Sequence, residues 1–202
     1  YHIRLASHLD QDAKATNNPS QYLDIEWRKA IGLHWLAARR YNKGIHIISE
    51  VAETFFRIGL FQSSIECAHL CLQFIREQRK SVQDEIFPAE EIEPISFSIE
   101  EAHQAKIEKT TRFIHFEQRM FMLLARCFLN NRDYIQTWSW LTKCSLQTDS
   151  SQAQALLIQA QLPRFREHSI EYLRQAESIY LSYNDELGVS LAQYLRGKLF
   201  LV

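Results

Sequence analysis

Two cysteines one helical turn apart, Cys67 and Cys71, are the first residues in this 202-residue chain whose spacing could serve chemistry. Two thiolates on one helix face could begin a soft-metal site or a redox pair. His69 between them points to another face, and Cys127 and Cys144 lie far along the chain. No second pair completes the short spacing of a zinc knuckle, so the four thiols read as small buried hydrophobes. The eight histidines, at 2, 8, 34, 46, 69, 103, 115 and 168, include no pair one turn apart with a glutamate between them. His115 and Glu117 face different ways on a helix. Five scattered glycines build neither a phosphate-cradling loop nor a dinucleotide fingerprint. A nucleophilic serine would need a strand-to-helix elbow, and no segment reads as a strand. The expectation is no catalysis, no metal and no cofactor.

Binding chemistry remains. Basic clusters occur at Arg39-Arg40-Lys43, Arg76-Arg79-Lys80 and Lys106-Lys109-Arg112. Yet Lys+Arg total 23 against 24 Asp+Glu, and each cluster falls within a helical pattern. A nucleic-acid binder needs a dominant basic face, because phosphate neutralisation supplies most of its affinity. The clusters therefore read as solvated helix faces, and no direct nucleic-acid partner is expected. No apolar run approaches the roughly 18 residues needed to cross a bilayer, so no membrane partner is expected. With neither a disulfide framework nor a signal peptide, an intracellular location, cytoplasmic or nuclear, is expected. The chain opens at Tyr1 and closes on Leu199-Phe200-Leu201-Val202. Such a sticky end suggests cuts through a longer polypeptide, or self-association through exposed helical ends.

The elements that would carry these residues are helices throughout. Leu5, Leu9 and Ala13 step by four through a first helix, which Asn17-Asn18-Pro19 stops. Leu23, Trp27, Ile31, Trp35 and Leu36 mark a second, from about 21 to 40. A break at Tyr41-Asn42-Lys43-Gly44 precedes a helix to about Ile58, ended by Gly59 as a left-handed cap. Ile65, Ala68, Leu72 and Ile75 mark the next, from about 62 to 80. The segment 81–97, with Pro88, Pro94 and five acidic residues, reads as an exposed acidic connector. Ser98 and Glu101 resemble a capping box opening a long helix to about Leu129. Further helices are expected over about 133–146, 150–161, 167–183 and 186 onward.

One ladder recurs along these helices. From a small residue, the positions three, nine, twelve, sixteen and nineteen further on carry an aromatic, an aromatic, a small residue and two core residues. Gly32 gives Trp35, Tyr41, Gly44, Ile48 and Val51; Ala52 gives Phe55, Phe61, Ser64, Ala68 and Cys71. Ala125 gives Phe128, Tyr134, Thr137, Leu141 and Cys144, and a weaker fourth unit uses Leu156, Leu157, Ala160, Ser169, Leu173 and Ala176. Small residues on both helices let an antiparallel pair approach closely, while the aromatics fill the next layer and plug the hairpin end.

The ladder, with Asn131-Arg132-Asp133-Tyr134 at its turn, resembles the tetratricopeptide repeat of about 34 residues. Ala176 to Tyr180, then Asn184-Asp185 and Gly188, resembles the longer repeats of about 40 residues in large scaffold and regulatory proteins. There a next unit would start at Leu195, Gly197 and Phe200. The likeness covers most of 21–202 outside the connector. It departs from the family where the first two ladders lie only twenty residues apart, so one helix must serve two pairs, and where the connector and long helix interrupt the array.

The resemblance implies an all-α fold of antiparallel hairpins, stacked as a right-handed superhelix over a single region 1–202. It also implies a groove lined by residues off the ladder: Lys29, Glu53, Arg57, Arg119, Met122, Arg126, Asn130 and Gln154. Arg119, Met122, Arg126 and Asn130 form one helical stripe that could hold an acidic or amphipathic peptide. The family's clamp for a chaperone's terminal carboxylate is not expected, because Leu33 stands where an Asn should follow Lys29. A protein-binding scaffold segment of a larger assembly is the function implied. The alternative is a sensing arm that gates an attached switch or transcription module.

Overall fold

The computed structural model describes residues 2–5, 7–8, 21–84, 99–146 and 148–199. Among these every regular element is helical: α1 (Gln21–Ala37), α2 (Tyr41–Arg57), α3 (Phe61–Asp84), α4 (Ile99–Asn130), α5 (Tyr134–Leu141), α6 (Asp149–Gln159), a 3-10 segment (Pro163–His168), α7 (Ser169–Ser182) and α8 (Glu186–Leu199). The proposed capping box at Ser98 and Glu101, the helix stop at Asn17-Asn18-Pro19 and most of the acidic connector lie outside what is described.

Four of the connections are the same turn. Each places one residue at positive φ: Arg39 at 58°, Gly59 at 82°, Arg132 at 58° and Asn184 at 59°. In each, that residue's amide donates to the carbonyl three back, and the next amide to the carbonyl five back from it. The latter bonds are Arg40 to Trp35 (2.9 Å), Leu60 to Phe55 (2.9 Å), Asp133 to Phe128 (2.9 Å) and Asp185 to Tyr180 (3.0 Å). This is the Schellman ending, which satisfies carbonyls the helix would otherwise leave bare. The acceptor at the end of each helix is always an aromatic residue. The break expected at 41–44 is therefore a turn three residues earlier, and α2 starts at Tyr41.

The chain divides into two compact units, Tyr1–Leu123 and Leu124–Val202. In the first, α1 packs on α2 and α2 on α3. The pairing is antiparallel and close. A Cβ built on Gly32 of α1 would stand 2.7 Å from the Ile48 side chain of α2, and one on Gly44 of α2 2.6 Å from Leu36 of α1. Across the next pair, Ser64 donates to the Ala52 carbonyl at 2.8 Å and the Cys71 thiol to the Ile45 carbonyl at 3.8 Å. The helix α2 thus belongs to both pairs, with Ile45, Ile48, Val51, Ala52 and Phe55 buried along it. Each large aliphatic or aromatic side chain so buried contributes about 1.5–3 kcal/mol. Trp27, expected with Ile31 and Trp35 on the core face, is 43% exposed.

In the second unit α6 packs on α7 and α7 on α8 and on the 3-10 segment. Ala153, Leu157, Ala160, Leu173, Ala176, Tyr180 and Ala192 form its core cluster. Here the approach is closest at Gly188, whose Cβ would meet the Tyr180 ring at 2.3 Å. The ion pair Arg196–Glu177 (2.6 Å) and the bond from Gln193 to Glu177 (2.7 Å) fasten α8 to α7 behind it. Near the N-terminal end of the unit, Ala125 and Thr137 are fully buried and Leu141 nearly so, as the ladder requires. Tyr134, expected to plug the hairpin end, is instead 40% exposed.

Helix α5 ends at Leu141, short of the expected 146. Its successors bond locally, Thr142 Oγ1 to the Ser139 carbonyl (3.0 Å) and Cys144 Sγ to the Trp140 carbonyl (3.6 Å). Such side chains compete with helix continuation. Thr148 and Ser151 then start α6 with a reciprocal cap. Where α6 stops, Leu162 is extended (φ −82°, ψ 131°) because Pro163 follows it and clashes with helical backbone there. The result is the 3-10 segment, an element for which the sequence reading had no place.

Candidate partner-binding surfaces

In the first unit, three of the expected groove residues meet. Glu53 projects from α2, and its Oε1 accepts from Arg119 of α4 at 2.8 Å (Nε) and 2.6 Å (Nη2). Arg57, one turn along α2, approaches the other oxygen at 3.9 Å. Lys29 stands apart from them, its ammonium 3.8 Å from Glu26 and 5.8 Å from the centre of the Phe55 ring. Further pairs tie the same helices: Arg28–Glu50 between α1 and α2 (2.8 Å) and Arg79–Glu117 between α3 and α4 (2.9 Å). These charges are matched within the fold. Their chemistry is cohesion between helices rather than an open binding field.

Met122 is the clear correction. It is 7% exposed, buried alongside Met120, Phe121 and Leu123. Four consecutive buried residues cover every direction around a helix of 3.6 residues per turn. The stripe expected to run from Arg119 to Asn130 is therefore interrupted by a covered side chain.

The thiols of the first unit are equally closed. Burial pushes Cys67 up to about 11, with the neighbouring carboxylates of Glu26 and Glu66 adding to it and Lys29 opposing. Burial raises Cys71 further still. Protonated thiols are neither nucleophiles nor metal ligands. Among the described residues no group of three or more His, Cys, Asp or Glu side chains is placed to hold a metal. One pair that sequence spacing could not reveal is His2 and His34. Their rings stack with centroids 5.4 Å apart and Nδ1 atoms 3.1 Å apart.

In the second unit, Arg126 and Asn130 are exposed on the last turns of α4, and Gln154 is half-buried on α6. The Asn130 amide donates to the Arg126 carbonyl at 2.9 Å, inside its own helix. Burial pushes the Tyr180 phenol up to about 12, Tyr183 and Asp185 add to this, and Arg126 opposes it. Arg126 and Asn130 thus lie one turn apart on α4, and Gln154 lies on another helix.

A different surface is better built. A cavity of about 490 Å³ opens where the end of α6, the 3-10 segment, the start of α7 and the last turn of α8 converge, with Tyr134 of α5 at its edge. Its floor is apolar: Ala160, Leu162 and Leu173 are each 4% exposed or less. Leu195 and Leu199 add aliphatic wall from α8, and Arg166 and Lys198 stand exposed at the rim. Among the described residues no carboxylate lines it. Nearby Arg164 differs from Arg166, since its guanidinium stacks 4.4 Å from the Trp138 ring and 5.0 Å from Phe165. Pro163, where the chain leaves α6 for the 3-10 segment, forms part of its wall. The signals in sequence were Leu162-Pro163 breaking a helical pattern and Leu195, Lys198 and Leu199 one turn apart.

No protein-family model, no curated protein and no solved structure matches this chain.

Proposed function

We propose that the chain is a tetratricopeptide-like helical-repeat module whose function is to hold other proteins or peptides within a larger assembly. One observation carries this reading. The same turn recurs four times, each with an aromatic acceptor at the end of its first helix, and a small side chain eight or nine positions after three of those aromatics and after Tyr180 at Gly188. Recurrence of one hairpin with unlike surfaces is how repeat proteins present binding faces on a common scaffold.

The test is affinity capture with the tagged chain, followed by reconstitution of each captured protein from purified components. Saturable, one-to-one binding in reconstitution is the expected result. Capture no better than that of a helical control of equal size and charge would sink the reading.

A further inference from the structure

We propose that the cavity of the second unit is the docking site for an acidic amphipathic peptide segment of a partner protein. The segment would lay aliphatic side chains on the Leu162, Leu173 and Leu195 floor and bring a carboxylate to Arg166 and Lys198. The assignment rests on the protein-binding reading above and adds to it the place and the chemistry of the partner.

Charge decides the occupant. Several described cations are engaged, Arg28, Arg79, Arg119 and Arg196 in ion pairs and Lys43, Lys143 and Arg164 over aromatic rings. Arg166 and Lys198 have no ion-pair partner among the described residues, and the acidic residues nearest Arg166 in sequence, Glu167 and Glu171, do not line the cavity. Two exposed cations beside an aliphatic floor make a site that favours a charge-assisted hydrogen bond to a carboxylate. A basic or neutral segment would leave both unpaired.

Shape favours a peptide over a compact ligand or a nucleic acid. The cavity volume suits a few side chains. On α8, Leu191, Leu195 and Leu199 stand four residues apart, so an apolar track leads out of the cavity onto an exposed face where Leu191 is 46% exposed. Such a track matches side chains repeating along a chain. A nucleic acid would need many phosphate contacts, and the site offers two cations.

The experiment is fluorescence anisotropy with the full 202-residue chain and three labelled 16-residue peptides. All carry leucine at helical spacing; their second stripe is glutamate, glutamine or lysine. The glutamate peptide is expected to bind at least tenfold more tightly than the glutamine peptide. The double variant R166E/K198E is expected to lose that preference and select the lysine peptide, while R174E, on exposed surface outside the cavity, keeps the wild-type preference. Circular dichroism melts of all three proteins verify folding. Equal binding of the three peptides, or an unaltered preference in the double variant, overturns the proposal. Sedimentation with anionic vesicles that is lost in the double variant, without peptide discrimination, overturns it in favour of a lipid surface. Affinity capture separates this failure from that of the broader reading. Partners retained equally by wild type and double variant remove the cavity assignment alone, whereas no specific partner for either removes the protein-binding function.

Discussion

The two units share a turn and differ in what they do with charge. In the first, Glu53, Glu50 and Glu117 each meet an arginine from another helix, and the turns into α2 and α3 start at Arg40 and Leu60 without a carboxylate cap. In the second, Asp133 and Asp185 cap their helices, accepting from Gln136 (3.0 Å) and the Gly188 amide (2.9 Å). Among the described residues that unit also leaves Arg166 and Lys198 without an ion pair beside a cavity with an aliphatic floor. The contrast teaches that one turn can be closed with or without a carboxylate cap, since its backbone bonds are the same in both units.

The largest expected effect comes from the closest helix contact. Gly188→Val should cost about 3 kcal/mol by overpacking, because its Cβ lands on the Tyr180 ring. Gly32→Ala should cost less, about 1 kcal/mol: its Cβ meets the side chains of Ile48 and Ile47, and the gain in helix propensity offsets part of the crowding. Denaturant unfolding of both variants checks this, and equal losses would contradict the contacts described.

Alkali should act next. Cys67 and Cys144 hold their protons to about pH 11 in the folded chain, against 9.0 for a free thiol. The folded state therefore binds more protons than the unfolded one across that window. Stability should be flat below about pH 9 and fall by about 1.4 kcal/mol per pH unit per thiol as pH rises toward 11. Cys67→Ala should flatten part of that fall in a pH series of thermal melts.

Helix capping sharpens the comparison further. Asp133→Ala and Asp185→Ala should each cost about 1 kcal/mol, while Arg40→Asp should gain about 0.5 kcal/mol by supplying the first unit with the cap it lacks. Melts that shift in the opposite sense would end the comparison.

The smallest effect separates cohesion from display. Arg119→Ala should lower stability by about 0.5–1 kcal/mol, since its partner Glu53 is only partly shielded from water. Arg166→Ala should leave stability unchanged within about 0.5 kcal/mol. Differential scanning calorimetry distinguishes the two. Charge reversal at Arg119 is consequently a poor probe of partner binding, because it would set two carboxylates against each other inside the first unit.

Much of the scaffold was legible in the residues. Gly32, Gly44, Ala52 and Ser64 fall where helices touch, because close approach tolerates only small side chains and the sequence must supply them, and Ala125 and Thr137 are buried. Gly59 ended its helix as expected, at φ 82°. The misplacements have local causes: the break at 41–44 fell three residues late, since Arg39 rather than a glycine adopts the left-handed turn. The acidic caps were readable only at Asn131-Arg132-Asp133, where the motif is explicit.

The site was less legible. The resemblance implied Arg119 and Met122 as groove residues from the helix face they occupy, which does not record what covers that face. Glu53 lies 66 residues from Arg119, and no pattern along the chain announces that pairing. Nor does spacing bring Tyr134, Leu162, Arg166 and Lys198 to one cavity. By itself the sequence determined helices, their order and the points where neighbours pack, all set by interactions a few residues apart or by the size of single side chains. Which charges are neutralised and which stay open was decided by tertiary structure, because that balance depends on distances between segments remote in the chain.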